Sequence, residues 1–257
     1  VPNIHPTAIV DPHAELADDV EVGPYSIIEE NVEIGPGTRV HSHVLIAKGA
    51  RIGRNCVIHH SAAVSTNPQD LKFKGESTLL QIGDHTVIRE FCDLNRGTVE
   101  TGRTVIGENV FLMAYTHVAH DCVVGDHVIM ANGVQLAGHV TLEEYVIVGG
   151  LTPIHQFCTV GAHAFIGGRC RVSQDIPPYI LAAGDPLGYK GLNVVGLKRR
   201  GFDQSTIGAL HTCYRLFYQS KLNRKQALEA IRSEVPGIPE VESVIRFIER
   251  SERGIIR

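Results

Sequence analysis

The sequence predicts a parallel β-solenoid of hexapeptide repeats followed by a small helical domain. Three observations predict it. An aliphatic residue returns at every sixth position from Ile4 to Val172, filling all but three of 29 slots. Four places after it stands a small or β-branched residue, as at Ala8, Thr38, Cys56, Cys122, Val134 and Cys170. The rhythm stops after Val172, and helical spacing replaces it. A period of six fits neither the 3.6 residues of a helical turn nor strand alternation. It is the mark of a hexapeptide β-helix.

Each hexapeptide then contributes two inward residues and one corner, making one side of a prism. Gly often follows the aliphatic residue, as at Gly35, Gly107 and Gly125, and is expected to turn the corner. Three sides make a coil of eighteen residues, so residues eighteen apart stack about 4.8 Å apart along the axis. The repeat predicts roughly nine to ten coils and a rod on the order of 45 Å long.

The three missing slots are Asp70, Glu76 and Glu100. They mark loops near 65–80 and 95–105 that leave the prism, and loops of this length in a compact solenoid are usually functional. Gln69, Asp70 and Lys72 place an amide, a carboxylate and an ammonium within four residues, suited to a polar ligand.

The segment His117-Val-Ala-His120-Asp121 carries the sharpest chemistry. Its valine points inward, which leaves His117, His120 and Asp121 on corners or the outer face. Eighteen residues beyond His120 lies Gly138, and eighteen further Gln156; eighteen beyond Asp121 lies His139, and His155 precedes Gln156. These residues share one ridge within about 10 Å along the axis. A neutral imidazole removes a hydroxyl proton, and a neighbouring carboxylate fixes its tautomer. The Gly138 N–H suits a developing oxyanion. No serine is paired with the histidine, so direct acyl transfer is favoured over an acyl-enzyme. The same histidines admit a catalytic zinc, which leaves a metal-dependent hydratase open. His5, His41 and His59 form a second column, on corner slots.

A formal net charge of −4 argues against nucleic acid as a partner. No apolar run reaches the ~18 residues of a membrane span, and the amino terminus VPNIHPTAIVDP lacks the features of a signal peptide, so a cytoplasmic location is expected. Five of the six cysteines occupy the small interior slot, which implies packing and reduced thiols. A prism filled by its own side chains has no pocket, so a loop or a second copy must close the site; a homo-oligomer follows.

The predicted division is a solenoid over 1–175, a connector over 176–190 and a helical domain over 191–257. In the last, Ile207, Leu210, Tyr214 and Phe217 share a helical face, as do Val241, Val244, Ile245 and Ile248. Asn223 with Gln226 forms a capping box, and Pro239 suits a first turn. Lys198, Arg199 and Arg200 stand together, and the arginine fork matches phosphate oxygens.

The ordered set QDLKF, HVAHD, LAGHV, IHQFC, QDIPPY, GLKRRGF and SERGIIR, carried on the hexapeptide run, resembles the UDP-N-acetylglucosamine O-acyltransferases of lipid A biosynthesis. The resemblance spans essentially the whole chain. It implies a left-handed β-helix, a homotrimer, and transfer of an (R)-3-hydroxyacyl group from acyl carrier protein to the 3-hydroxyl of the UDP-sugar, with no cofactor and no metal. It implies His120 as general base, Asp121 as its orienting partner and Gly138 as oxyanion support. It also implies that Gln69, Asp70, Lys72, His117, His139, His155 and Gln156 contact sugar, diphosphate or acyl chain. Asn193, Arg199 and Arg200 match uridine and phosphate contacts, and Gly168 a position that limits acyl length. Two departures stand out: Asn95 where a histidine is common before RGT, and Val195 where many members place Glu. Another hexapeptide acyltransferase, using acyl-CoA or a 3-amino UDP-sugar, is the alternative.

Overall fold

The computed structural model describes residues 1–235 and 237–257. Short parallel strands, mostly of two residues, follow one another at the predicted interval of six. Asn3–Ile4, Ile9–Val10 and Glu15–Leu16 begin three sheets, the faces of a three-sided prism, and these run as far as Phe165–Ile166, Pro153–Ile154 and Thr159–Val160. Asn3 pairs with Glu21 and Ile9 with Ile27, so one revolution takes eighteen residues.

Two insertions interrupt this count. Val57 pairs with Val87, thirty residues on, and Asp93 with His117, twenty-four on. The excesses of twelve and six are multiples of the repeat, so the inward phase survives both. The strands bordering the loops have three or four residues instead of the usual two, so the loops are shorter than the sequence predicts. Ala63–Thr66 and Leu79–Ile82 bound the first, leaving 67–78 as loop; Asp93–Asn95 and Arg103–Ile106 bound the second, leaving 96–102. Extra ladder bonds explain the trimming, because Leu79 to Ile82 pair in register with Arg103 to Ile106.

The interior is filled as the repeat requires. Val118, Leu136 and Ile154 stack on successive coils and are buried, and all six cysteines are free and buried. Ile4 in the first coil is 40% exposed, since no coil lies beneath it.

The corners turn differently from the expectation. The glycines after the aliphatic residues do not adopt positive φ; that conformation falls two residues later, on Asn55, His85, Asn109, His127 and Tyr145 among others. Glycine is needed for another reason, close approach of successive coils. A Cβ on Gly35 would stand 2.8 Å from the carbonyl carbon of Gly53 in the next coil.

After the last coil the chain caps the prism. The segment read as a connector holds strand Ile180–Ala183, which pairs parallel with Phe165–Ile166, and the start of Gly188–Leu192, which pairs antiparallel with it and runs two residues past the expected boundary at 190. Four helices follow among the described residues: α1 Val194–Arg199, α2 Gln204–Tyr218, α3 Arg224–Glu234 and α4 Pro239–Arg250. Asn223 and Gln226 form the expected capping box on α3, and Pro239 opens α4. Ile207, Leu210 and Tyr214 of α2 and Val241, Val244, Ile245 and Ile248 of α4 are buried, while Phe217 is partly buried. The final residues return to the solenoid, where Asp175 and Ile255 form a bridge. Among the described residues no helix is long and apolar enough to cross a membrane.

Candidate active site

Both insertions leave the prism at the same edge, between the second and third faces. His120, Gly138, His139, His155 and Gln156 lie in turns on that edge, between strands of those two sheets. The loops and the histidine coil thus meet because each interrupts the repeat after a second-face strand.

At the centre, His120 Nδ1 lies 2.8 Å from Asp121 Oδ2. The carboxylate is an acceptor only, so the ring proton sits on Nδ1 and the neutral imidazole keeps its Nε2 lone pair. That Nε2 has no hydrogen-bond partner among the described residues. Asp121 sits in the turn at the corner but not on the outer surface. Its side chain is fully buried, because the 96–102 loop folds over it. The Thr98 N–H donates to Oδ1 at 2.9 Å, the Thr98 hydroxyl to Oδ2 at 2.7 Å, and the Thr101 hydroxyl to Oδ1. Burial alone would raise the Asp121 carboxyl, yet the hydrogen bonds from Thr101, Thr98 and His120 hold it below the ordinary value.

His139 stands edge-on to His120, ring centroids 5.3 Å apart, with its Nε2 3.2 Å from Glu100 Oε2 and 3.6 Å from Asp121 Oδ2. The donor atoms of His120, Asp121 and His139 fall within 4.8 Å of one another, close enough to hold a metal ion. Asp121, however, already accepts four hydrogen bonds, the capacity of a carboxylate. The arrangement is that of an oriented base. Gly138 has its backbone N–H unpaired among the described residues.

On the strand that leads into the His120 turn, His117 Nδ1 lies 3.0 Å from Oδ2 of Asp93, one coil toward the amino terminus, and Gln69 Nε2 donates to the same oxygen at 3.1 Å. Asp70 accepts the Lys72 N–H at 2.9 Å and so shapes the loop, while the Lys72 side chain is exposed. His155 does not join the other imidazoles. Its Nδ1 faces Arg253 of the carboxy-terminal tail at 3.2 Å, because it falls two residues before the His139 column. Gln156 is exposed on the edge.

The remaining expected residues sit elsewhere on the prism. Gly168 is exposed on the edge between the first and second faces. Asn193 caps α1, accepting the Gly196 N–H at 3.1 Å and donating to the His163 carbonyl at 3.0 Å. Arg199 is exposed. Arg200 donates to the Tyr145 carbonyl at 3.0 Å and lies over the Tyr145 ring, and its Nη1 is buried without a partner among the described residues. Tyr145 belongs to the edge between the third and first faces. Of the stacked histidine column, His41 and His59 have ring centroids 4.8 Å apart, while His5 pairs with Thr7.

Sequence reasoning misses Asp93, Thr98, Glu100 and Thr101 as members of the site. A signal exists, since Glu100 breaks the repeat, and Asp93 faces His117 once the six inserted residues are counted.

Two family models match the chain: "Bacterial transferase hexapeptide (six repeats)" over residues 103–138 and "Udp N-acetylglucosamine O-acyltransferase; Domain 2" over residues 175–256. The acyl-[acyl-carrier-protein]–UDP-N-acetylglucosamine O-acyltransferase of Thiobacillus denitrificans is 52% identical over 255 residues, covering 99% of both chains. The chain belongs to the UDP-N-acetylglucosamine O-acyltransferase family. Among solved members, LpxA from Acinetobacter baumannii is 48% identical with a TM-score of 0.96, over 99% of each chain. The Francisella novicida UDP-N-acetylglucosamine acyltransferase is 37% identical with a TM-score of 0.96, over 99% of this chain and 94% of that one. With these O-acyltransferases the chain shares a left-handed solenoid, the hand that spacing alone leaves open.

Proposed function

We propose that this chain transfers an (R)-3-hydroxyacyl group from acyl carrier protein to the 3-hydroxyl of UDP-N-acetylglucosamine, the first step of lipid A biosynthesis. Full-length likeness to named O-acyltransferases supports the reaction, and the His120–Asp121 pair is the observation that carries the mechanism. His120 Nε2 takes the proton of the sugar hydroxyl as its oxygen attacks the thioester carbon. The Gly138 N–H receives the negative charge that develops on the carbonyl oxygen. Collapse of the tetrahedral species expels the pantetheine thiolate, which takes the proton back from the imidazolium. Asp121 holds the ring and stabilises its charged form between these steps.

Gln69, Asp70, Lys72, His117, His139, His155 and Gln156 surround this edge and contact the sugar, the diphosphate or the acyl chain. Asn193, Arg199 and Arg200 serve the uridine and phosphates, and the unpartnered Arg200 Nη1 suits a phosphate oxygen. Gly168 borders the end of the acyl chain and leaves room for a long one.

His120, Arg200 and Gly168 occupy three different edges of one rod. A site holding all three is completed by neighbouring copies, and a homotrimer supplies them. Outward apolar residues on the second face, Ile9 and Ile27, 64% and 41% exposed, suit a face covered by another copy. Exposed Lys198 and Arg199 suit an acidic carrier protein. Six free thiols fit a reducing, cytoplasmic location.

The test is turnover of UDP-N-acetylglucosamine with a ladder of 3-hydroxyacyl carrier proteins, the product read by mass spectrometry. The His120→Ala variant should lose roughly 10²-fold or more in turnover and keep its fold. Near-normal turnover in that variant would reject His120 as the base, and transfer from acyl-CoA alone would reject the donor.

A further inference from the structure

The structure contains a second carboxylate–imidazole pair that the mechanism above does not use. Asp93 lies on the second face and receives donors from four residues in three separate strands and a loop. Its Oδ1 accepts the Thr66 hydroxyl at 3.0 Å and the Asn95 amide at 3.4 Å; its Oδ2 accepts Gln69 Nε2 at 3.1 Å and faces His117 Nδ1 at 3.0 Å. Burial alone would raise this carboxyl, yet the hydrogen bonds from His117, Thr66 and Gln69 hold it below the ordinary value.

The donors leave little freedom. His117 Nδ1 has a second neighbour, the backbone carbonyl of Asp93 at 3.0 Å. Both neighbours are acceptors only, so Nδ1 carries the proton and Nε2 of the neutral ring is a bare lone pair. Gln69 turns its NH₂ toward the carboxylate, so its Oε1 points away. Behind Asp93, the Asn95 amide also donates to the Thr66 hydroxyl at 2.7 Å, which orients that hydroxyl's proton toward Asp93. His117, on the same coil as His120, and Gln69, from the 67–78 loop, therefore both turn acceptor atoms outward.

We infer that Asp93 is a positioning residue which sets the hydrogen-bond polarity of the sugar subsite. It fixes His117 as the Nδ1–H tautomer and Gln69 with its carbonyl end outward, so the subsite accepts hydrogen bonds from the hydroxyl or amide N–H groups of an acceptor sugar. This rests on the proposed function for the identity of that sugar, though the tautomer does not. Asp93 itself need not touch substrate.

The experiment has two arms on the whole enzyme. Nitrogen-15 chemical shifts of the His117 ring, measured near pH 8 without substrate, report which nitrogen is protonated. The wild type should show Nδ1–H, and Asp93→Ala, which leaves only the backbone carbonyl of residue 93 as acceptor, should lower the Nδ1–H fraction. In the second arm Asp93→Asn, nearly isosteric, should raise KM for UDP-N-acetylglucosamine about ten-fold, the effect of losing one hydrogen bond to a charged group. Its kcat should stay within about three-fold, because the His120 pair is untouched. Across mono-deoxy UDP-sugars the wild type should discriminate against at least one, and Asp93→Asn should lose that discrimination. An Nε2–H tautomer in the wild type overturns the inference, as does an Asp93→Asn enzyme with unchanged KM and unchanged discrimination. If instead UDP-N-acetylglucosamine proves not to be an acceptor, the functional reading fails while the tautomer measurement still decides the role of Asp93.

Discussion

The ring of His120 occupies the space that a side chain at Gly138 would fill. A Cβ built on Gly138 meets His120 Cε1 at 2.6 Å and Nε2 at 2.8 Å, closer than any real carbon contact. The glycine therefore lets the base lie flat against the next coil, in addition to offering its N–H. The Gly138→Ala variant should keep its strands by circular dichroism, since the residue has no positive φ, and lose about 10²-fold in kcat as the ring is displaced. A variant with wild-type kcat would mean that the observed ring position is not the working one.

The 96–102 loop gives a second expectation. Thr98 and Thr101 place three of the four hydrogen bonds on Asp121, two of them through hydroxyls. Replacing both threonines by valine keeps volume but strips those hydroxyls from a buried carboxylate, a loss of about 1–3 kcal/mol for each. Turnover should fall by ten-fold or more with KM for the sugar little changed, and the double serine variant should recover most of it. Equal kcat in the valine and serine enzymes would remove the loop from the mechanism.

Much of this molecule is legible in its amino-acid order. Val118, Leu136 and Ile154 announce their stacking because period, size and polarity agree, and the His120–Gly138 and Asp121–His139 neighbours follow from counting eighteen. What is not legible there depends on how side chains turn. Counting places Asp121 on a corner, but only the fold of the 96–102 loop buries it. His155 and His139 differ by sixteen residues instead of eighteen, and that two-residue offset sends one to Arg253 and the other to His120. The glycines signal corners correctly while the left-handed residue falls on Asn, His and Tyr, because polar and aromatic side chains on the outer edge tolerate that conformation where stacking compensates it.

The buried thiols bear on handling. Burial pushes Cys122 up to about 12 and Cys158 up to about 11, so neither forms the reactive thiolate near neutrality. Alkylation with iodoacetamide at pH 8 should leave these cysteines unmodified for hours in the folded protein and modify all six promptly in denaturant. Rapid labelling of Cys122 in the native state, read by peptide mass spectrometry, would show that the coil around His120 opens locally.

His163 should make stability depend on pH. Its ring is stacked between Tyr145 and Tyr179, at 4.8 and 5.5 Å, and its Nδ1 is buried without a partner among the described residues. Burial, reinforced by the nearby Arg200 charge, pushes it from an ordinary 6.5 down to about 4. Above pH 6.5 both folded and unfolded chains hold this ring neutral, and it adds no slope. As the pH falls from 6.5 toward 4, the unfolded chain takes up a proton that the folded chain refuses, so stability declines across that window and levels below it. Asp93 and Asp121 act in the same direction, but only below their ordinary 3.8, where the contributions separate. His59 is also lowered by burial, so a difference between variants is needed. Phenylalanine at 163 keeps the stack and removes the titrating ring. The urea midpoint of wild type should drop more between pH 7.5 and 5 than that of His163→Phe, and the two curves should run parallel above pH 7. Identical pH slopes for the two proteins would mean that His163 is protonated in the folded state.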